Sequence, residues 1–307
     1  MIEKKLISYI ADKANVKNPV LLEKDILLHQ ILVLLSKNDF FNQSFAFKGG
    51  TCLVKCYLGY YRFSEDLDFT YINQAGFIKK SEKQIRKMLS VQIDQIIDII
   101  IDIANLLGLE FKKDKADKKY IELGGSNKFV TFKLGYKSVI TNADGFIKIQ
   151  INFDELLLYK FNNVIANSLI GPINEKELKF LFPKESSYLL ENPEVIAYDL
   201  REILVEKARA ILTRKSIKTR DFIDIYLITQ KINKKIELFE DEIIKKTIFM
   251  LKYEKYKQNL KEKIETGKWY KSDDESYLLL KPINAFSEYS VKLSAYLSEI
   301  AGKKISN

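Results

Sequence analysis

Phe47-Lys48-Gly49-Gly50-Thr51 and Arg62-Phe63-Ser64-Glu65-Asp66-Leu67-Asp68-Phe69 are the two stretches on which the fold turns. Phe45-Ala46-Phe47 reads as a short strand that stops at two glycines, and Thr51 to Leu58 returns to helical spacing. A strand ending in a diglycine bend and releasing into a helix lets backbone N–H groups approach a phosphate, and the helix start adds partial positive charge. Thr51 can offer a hydroxyl to the same phosphate. Glu65 to Tyr71 alternates Asp66, Asp68 and Thr70 with Leu67, Phe69 and Tyr71, the period of a strand. Asp66 and Asp68 therefore project from one face. Paired carboxylates suit magnesium, which takes a few acids plus phosphate oxygens and water. A cation so placed neutralises charge on a transferring phosphate and orients a hydroxyl nucleophile. Each half alone is a weak signal, since a Gly-Gly pair is most often only a turn and an Asp-x-Asp strand most often a solvated face. Glycine bend, short helix and acidic strand nevertheless follow the order a nucleotidyltransferase site requires. No Gly-x-x-x-x-Gly-Lys-Ser/Thr occurs, so a P-loop ATPase is not supported.

Around this centre the periodicity predicts helices over Glu3 to Ala11 and Leu21 to Leu35, the second the clearer amphipathic one through Leu22, Ile26, His29, Gln30, Val33 and Leu34. A long helix is predicted from Ser81 to Leu107. Strand-like runs follow at Glu110 to Lys113, Lys119 to Leu123, Phe129 to Tyr136 and Phe146 to Phe153, with turn signals at Gly124-Gly125-Ser126 and Asn142-Ala143-Asp144-Gly145. Beyond Pro193 the pattern is helical: Tyr198 to Thr213, Arg220 to Gln230, Glu240 to Lys263 and Phe286 to Ile300. The composition shifts between Pro183 and Pro193. The fold class is α+β: a mixed sheet with flanking helices over 1–190, followed by a helical C-terminal domain over 191–307.

The 307 residues suit one large or two modest domains, and 47% hydrophobic with 30% charged residues excludes a disordered chain. Met1 to Ala14 carries Glu3, Lys4, Lys5, Asp12 and Lys13 and lacks the apolar core of a signal peptide. No apolar run approaches the roughly 20 residues of a membrane helix. Cys52 and Cys56, four apart in a helix, read as small buried residues, and one histidine with two cysteines falls short of a structural zinc site. A cytoplasmic protein with no membrane partner is expected. The net charge of +9 suits a polyanion-binding surface and equally a lysine-rich background.

The two opening stretches resemble the first motif of the AbiEii/AbiGii toxin family, nucleotidyltransferase-like proteins of the DNA polymerase β superfamily. A second block, Glu206-Lys207-Ala208-Arg209-Ala210 with Arg214 and Arg220-Asp221-Phe222-Ile223-Asp224, resembles the family's helical motif of Lys, Arg and Arg-Asp-x-x-Asp. Glu23-Lys24-Asp25 also has a family look, so the resemblance spans about Leu21 to Ile228. It implies transfer of a nucleotidyl group from an NTP, a magnesium requirement, and a toxin of a toxin–antitoxin or phage-defence system with a cognate antitoxin. Some relatives modify the acceptor end of tRNA. Carried over residue by residue, it makes Ser64, Asp66, Asp68, Lys207 and Asp221 or Asp224 the site candidates, beside Lys48, Gly49, Gly50 and Thr51 at the nucleotide. Lys207, on an amphipathic helix, also suits a triphosphate as a point charge. Arg214, Arg220, Asp221 and Asp224 suit an ion-pair network between helices equally well.

One departure stands out. The superfamily commonly places a third carboxylate on a later strand, whereas Ile147 to Asn152 offers Gln150 and Asn152, with Asp154 as the nearest acid. The expected activity is NMP transfer from an NTP to RNA, at the tRNA 3′ end. The alternatives are nucleotidylation of a protein and nucleotide binding without transfer. Lys48 either assists phosphate binding or caps a strand edge. His29 reads as structural, and Lys112, Lys113, Lys115, Lys118 and Lys119 as a solvated hairpin that could also steer RNA. Tyr57, Tyr60, Tyr61 and Phe63 read as packing, with stacking on a base as the alternative.

Overall fold

In the computed structural model, which describes residues 2–170, 173–269, 276–281, 283 and 286–305, the chain divides into two compact units. The first comprises Met1–Glu155 and Phe161–Ala197, the second Leu156–Lys160 and Tyr198–Asn307.

The first unit is built on a seven-stranded mixed sheet: β1 (Phe45–Lys48), β2 (Asp66–Tyr71), β3 (Ile121–Gly124), β4 (Phe129–Lys137), β5 (Asp144–Asn152), β6 (Asn162–Ile165) and β7 (Glu194–Ala197). Their spatial order is β3-β4-β5-β2-β1-β7-β6. β2 runs antiparallel to β1 and parallel to β5, with Asp68 opposite Lys48 on one side and Gln150 on the other. Alternation sets the two faces. Leu67, Phe69, Ile147, Ile149 and Ile151 are buried, whereas Asp66, Asp68, Lys148, Gln150 and Asn152 occupy the other, half-open face.

The helix Pro19–Ser36 starts at Asn18, whose side chain accepts from the N–H groups of Val20 and Leu21. It is not amphipathic, as its spacing suggested, but buried almost all round, including Glu23, Asp25, His29 and Gln30. The two buried carboxylates there are both answered. Glu23 accepts from Ser138 Oγ (2.6 Å) and the Val139 N–H (2.7 Å). Asp25 meets Lys55 Nζ (2.9 Å) and the Tyr60 hydroxyl (2.8 Å). Burial without such partners would cost several kcal/mol per charge. The long helix Glu82–Leu107 opens on a capping box between Ser81 and Gln84 and closes at Gly108, which takes the left-handed conformation. Its buried stripe of Ile85, Leu89, Ile93, Ile96, Ile100 and Ile103 follows the helical period.

Several short elements depart from the sequence reading. Glu110 makes only an isolated bridge to Gly135, so the run Glu110 to Lys113 is not a strand. Helices Asp39–Ser44, Glu175–Leu181 and Pro183–Leu189 lie where none was expected, as do β6 and β7. Four-residue strands are too short to display a period.

The second unit is helical: Leu200–Thr213, Thr219–Ile232, Glu240–Met250, Glu254–Thr266 and Phe286–Ile300. The run expected as one helix from Glu240 to Lys263 breaks at 251–253. Lys246 and Glu202 pair in the interior at 2.5 Å, and the other Glu202 oxygen accepts from the N–H groups of Leu158 and Tyr159. Lys263, also buried, donates to the carbonyls of Ile211 and Arg214, capping the end of Leu200–Thr213.

Candidate active site

β1 delivers Lys48 in extended conformation, and the chain then turns at Gly49 with φ +77°, in the left-handed region. Glycine is required there twice over. An L side chain resists that φ, and a Cβ on Gly49 would collide with Asp68 Oδ2 and stand 3.0 Å from its Cγ. The Asp68 carboxylate is thus packed directly on the bend. At Gly50 a Cβ would stand 2.6 Å from Arg62 Nη2 and 3.0 Å from Ser64 Oγ. Arg62 is buried, its Nη1 donating to the Phe63 carbonyl at 2.7 Å and its guanidinium 5.5 Å from the Tyr61 ring centroid. The bend therefore carries a buried positive charge that sequence reasoning missed, because nothing in the motif distinguishes Arg62 from a surface arginine.

Thr51 lies in the short helix Gly49–Cys52 that starts at the bend. It is buried, and its hydroxyl donates to the Asp66 carbonyl (2.5 Å) and lies 2.8 Å from Ser64 Oγ. Thr51 and Ser64 together stitch the bend to the start of β2. After Gly49–Cys52 the helix widens to π-type turns over Leu53–Leu58, which place Lys55 against Asp25. Burial pushes the Cys52 thiol well above its usual range, with Cys56 and the Asp68 charge adding to the effect, so Cys52 is an inert packing group.

Lys48 and Asp68, as register partners, share a face with Asp66 and Gln150. Lys48 Nζ reaches Glu155 at 2.9 Å, with both side chains largely buried. Glu155 also accepts from Asn152 Nδ2 (2.5 Å), and its own N–H donates to Gln74 Oε1 (2.8 Å). Asp154 is held differently, 3.6 Å from Lys128 Nζ. The acid tied to the Lys48 corner is therefore Glu155, one residue beyond the acid the sequence singled out. Among the described residues no three His, Cys, Asp or Glu side chains cluster to hold a metal ion. Asp66 and Asp68 lie on one strand face and are donors of the type magnesium takes when substrate phosphates complete its shell.

In the second unit, Lys207 Nζ lies 2.7 Å from both Asp221 Oδ1 and Asp224 Oδ2, and Arg214 Nη1 lies 3.0 Å from Asp221 Oδ2. Asp221 and Asp224 are buried. Burial alone would raise the Asp221 pKa. The adjacent Lys207 and Arg214 charges outweigh it and hold the carboxyl below its usual range. Lys207, Asp221 and Asp224 thus form one ion-paired cluster between Leu200–Thr213 and Thr219–Ile232, with Arg214 at its edge.

The remaining candidates have structural partners. His29 is fully buried with Nε2 2.9 Å from the Glu191 carbonyl, and burial, then the Lys55 charge, lowers its pKa to about 3. Lys24 pairs with Glu65 at 3.2 Å. Phe63 is core, and Tyr60 belongs to the Asp25–Lys55 network. Lys113, Lys115 and Lys119 each hold an acid: Asp98, Asp94 and Glu110.

Comparison with solved structures finds JHP933 from Helicobacter pylori at 15% identity, covering 93% of each chain with a TM-score of 0.42. A second Helicobacter pylori structure, described as a candidate nucleotidyltransferase, shares 16% identity over 93% of this chain and 96% of that one, with a TM-score of 0.40. Superpositions that loose carry no weight for function. No curated protein matches. The model of the AbiEii family, described as a nucleotidyl transferase toxin of type IV toxin–antitoxin systems, matches residues 32–288 and so spans the diglycine bend, the acidic strand and the Lys207 helix. The chain belongs to the AbiEii nucleotidyl transferase toxin family.

Proposed function

We propose that this toxin transfers NMP from an NTP to an RNA acceptor, the tRNA 3′ end, in a toxin–antitoxin or phage-defence role restrained by a cognate antitoxin in the cytoplasm. The observation that carries the reading is the Asp68 carboxylate packed on Gly49, with Asp66 on the same strand face. Asp68 packs on Gly49, and Arg62 with Ser64 packs on Gly50, so the two glycines bring the bend directly against the acidic strand. Thr51 and Ser64 hold bend and acidic strand together, a positioning role. Asp66 and Asp68 would hold Mg2+, which when bound neutralises phosphate charge and activates the acceptor hydroxyl. Lys48, fixed by Glu155, stands opposite Asp68 as a cation for the nucleotide. Lys207, ion-paired within the second unit to Asp221 and Asp224, stands as a candidate for the nucleotide on its motif's resemblance alone.

Incubation with each labelled NTP, magnesium and total tRNA should label the RNA. Asp66→Ala should lose at least about a hundredfold in rate, the scale of removing a principal electrostatic contact to the reacting phosphate. Labelling by Asp66→Ala equal to the parent's rules the assignment out.

A second reading is nucleotide binding without transfer. It is favoured by Gln150, an amide beside Asp68 where the superfamily commonly places an acid. Tight NTP binding by calorimetry with no turnover on RNA or protein selects it, and robust transfer eliminates it.

A further inference from the structure

The first unit holds a cavity of about 210 Å³ that shares no lining residue with the candidate active site. Ile2, ahead of the helix Lys4–Lys13, and Leu106 and Leu107, in the last turn of Glu82–Leu107, give it an aliphatic wall. Its polar groups come from two other helices: Gln30 of Pro19–Ser36, and Lys184, Glu185 and Tyr188 of Pro183–Leu189. Gln30 and Glu185 are only 5% and 8% exposed, whereas Lys184 is exposed. Among the described residues, the Gln30 amide, the Glu185 carboxylate, the Lys184 ammonium and the Tyr188 hydroxyl have no hydrogen bond or ion pair. Glu23 and Asp25, the buried acids on the same helix as Gln30, are both bonded.

A buried carboxylate left without a counter-charge is costly, so Glu185 calls for a cation from outside the chain. Its first-turn position in a seven-residue helix offsets only part of that cost. The last turn of Glu82–Leu107 brings the negative end of a 26-residue helix to the same cavity, which again favours positive charge. A metal ion is poorly served, since no three His, Cys, Asp or Glu side chains cluster among the described residues. Size narrows the organic candidates. The cavity exceeds the roughly 150 Å³ that admits benzene. It falls below the about 300–1,000 Å³ of drug-sized pockets, too little for a nucleoside triphosphate. A free nucleobase fits but is neutral and leaves both charged groups unanswered. A small zwitterion answers Glu185 with its ammonium and Lys184 with its carboxylate.

We propose that this cavity binds a free aliphatic α-amino acid. The ammonium lies on Glu185 and Gln30, the carboxylate on Lys184 and Tyr188, and the side chain on Ile2, Leu106 and Leu107.

The test is calorimetry of the full chain with L-leucine, L-isoleucine, L-valine and L-methionine to millimolar concentration. At least one should bind. The tightest should lose about tenfold or more when its carboxylate or its ammonium is removed, as in isoamylamine and 4-methylpentanoate for leucine, the scale of a lost hydrogen bond to a charged group. Glu185→Gln should weaken binding by a similar factor while the urea midpoint holds or rises, because an uncancelled buried charge is removed. Lys184→Gln should weaken the amino acid more than the amine. Leu106→Trp, at a 58% exposed position, should block binding while circular dichroism and ATP binding match the parent. If none of the four binds, or if Glu185→Gln and Leu106→Trp both bind as the parent does, the cavity assignment is wrong. An amine that binds as tightly as its amino acid overturns the zwitterion in favour of a plain cation. A fall in the urea midpoint of Glu185→Gln with binding unchanged assigns Glu185 to the fold alone and overturns it too. None of these outcomes bears on the transfer reading, whose residues line no part of this cavity.

Discussion

Gly49 and His29 mark the two ways a single residue constrains this protein. Gly49 sits at φ +77° with Asp68 against its Cα, so Gly49→Ala meets both backbone strain and a steric collision. The left-handed conformation alone costs about 1–2 kcal/mol for an L residue. Relief of the overlap must then displace Asp68. Gly49→Ala should therefore lower the urea midpoint and abolish NTP binding together, whereas Gly59→Ala, also at positive φ but with open space around it, should cost stability only. NTP binding that survives Gly49→Ala would show that the bend does not hold the nucleotide. His29 is the chain's one histidine. Burial, then Lys55, holds its pKa near about 3, while the unfolded imidazole titrates near about 6.5. The unfolded state then binds the extra proton between those values, so the contribution to stability is complete above about pH 6.5 and is lost as pH falls toward about 3. Proton NMR of the single imidazole should show no titration between about pH 8 and 5, and a midpoint near 6.5 would contradict the buried, neutral assignment. The sequence made the structural histidine legible through its apolar neighbours. It could not reveal Arg62, because its burial follows from how the loop packs under Gly50.

Helices and strands were legible in proportion to their length. Glu82–Leu107 shows its stripe and its Ser81 cap in the sequence, whereas β6 and β7 give four residues each. The break at 251–253 carries neither proline nor glycine, so no local rule marks it. The helix Pro19–Ser36 failed as an amphipathic helix for a tertiary reason, since Glu23 and Asp25 are buried with partners distant in sequence. Asp25, Lys55 and Tyr60 join that helix to the widened helix after the bend. Asp25→Asn should cost about 3–5 kcal/mol by leaving the Lys55 ammonium buried without its counter-charge. Tyr60→Phe removes the hydroxyl that accepts from Lys55 and donates to Asp25, and should cost about 1–3 kcal/mol. Urea unfolding of the two variants checks the order, and a larger loss from Tyr60→Phe would refute the charge assignment.

At the scale of the whole molecule, two compact units predict unfolding in more than one step. Asp224, fully buried against Lys207, belongs to the second unit. Asp224→Asn should therefore strip hydrogen-exchange protection from Leu200–Thr213 and Thr219–Ile232 while β2 and β5 keep theirs, and equal loss in both units would contradict independent unfolding. What the sequence determined alone was local: a bend only glycine can make, a period-2 strand putting two acids on one face, and a helical pattern beyond the sheet. These follow from backbone sterics and side-chain alternation within a few residues. Tertiary structure decided which acid reaches Lys48, that Gln150 lies beside Asp68, and that Lys207 is clasped by two aspartates. Those outcomes depend on strand register and long-range packing, where one residue of slip sends a side chain to the opposite face.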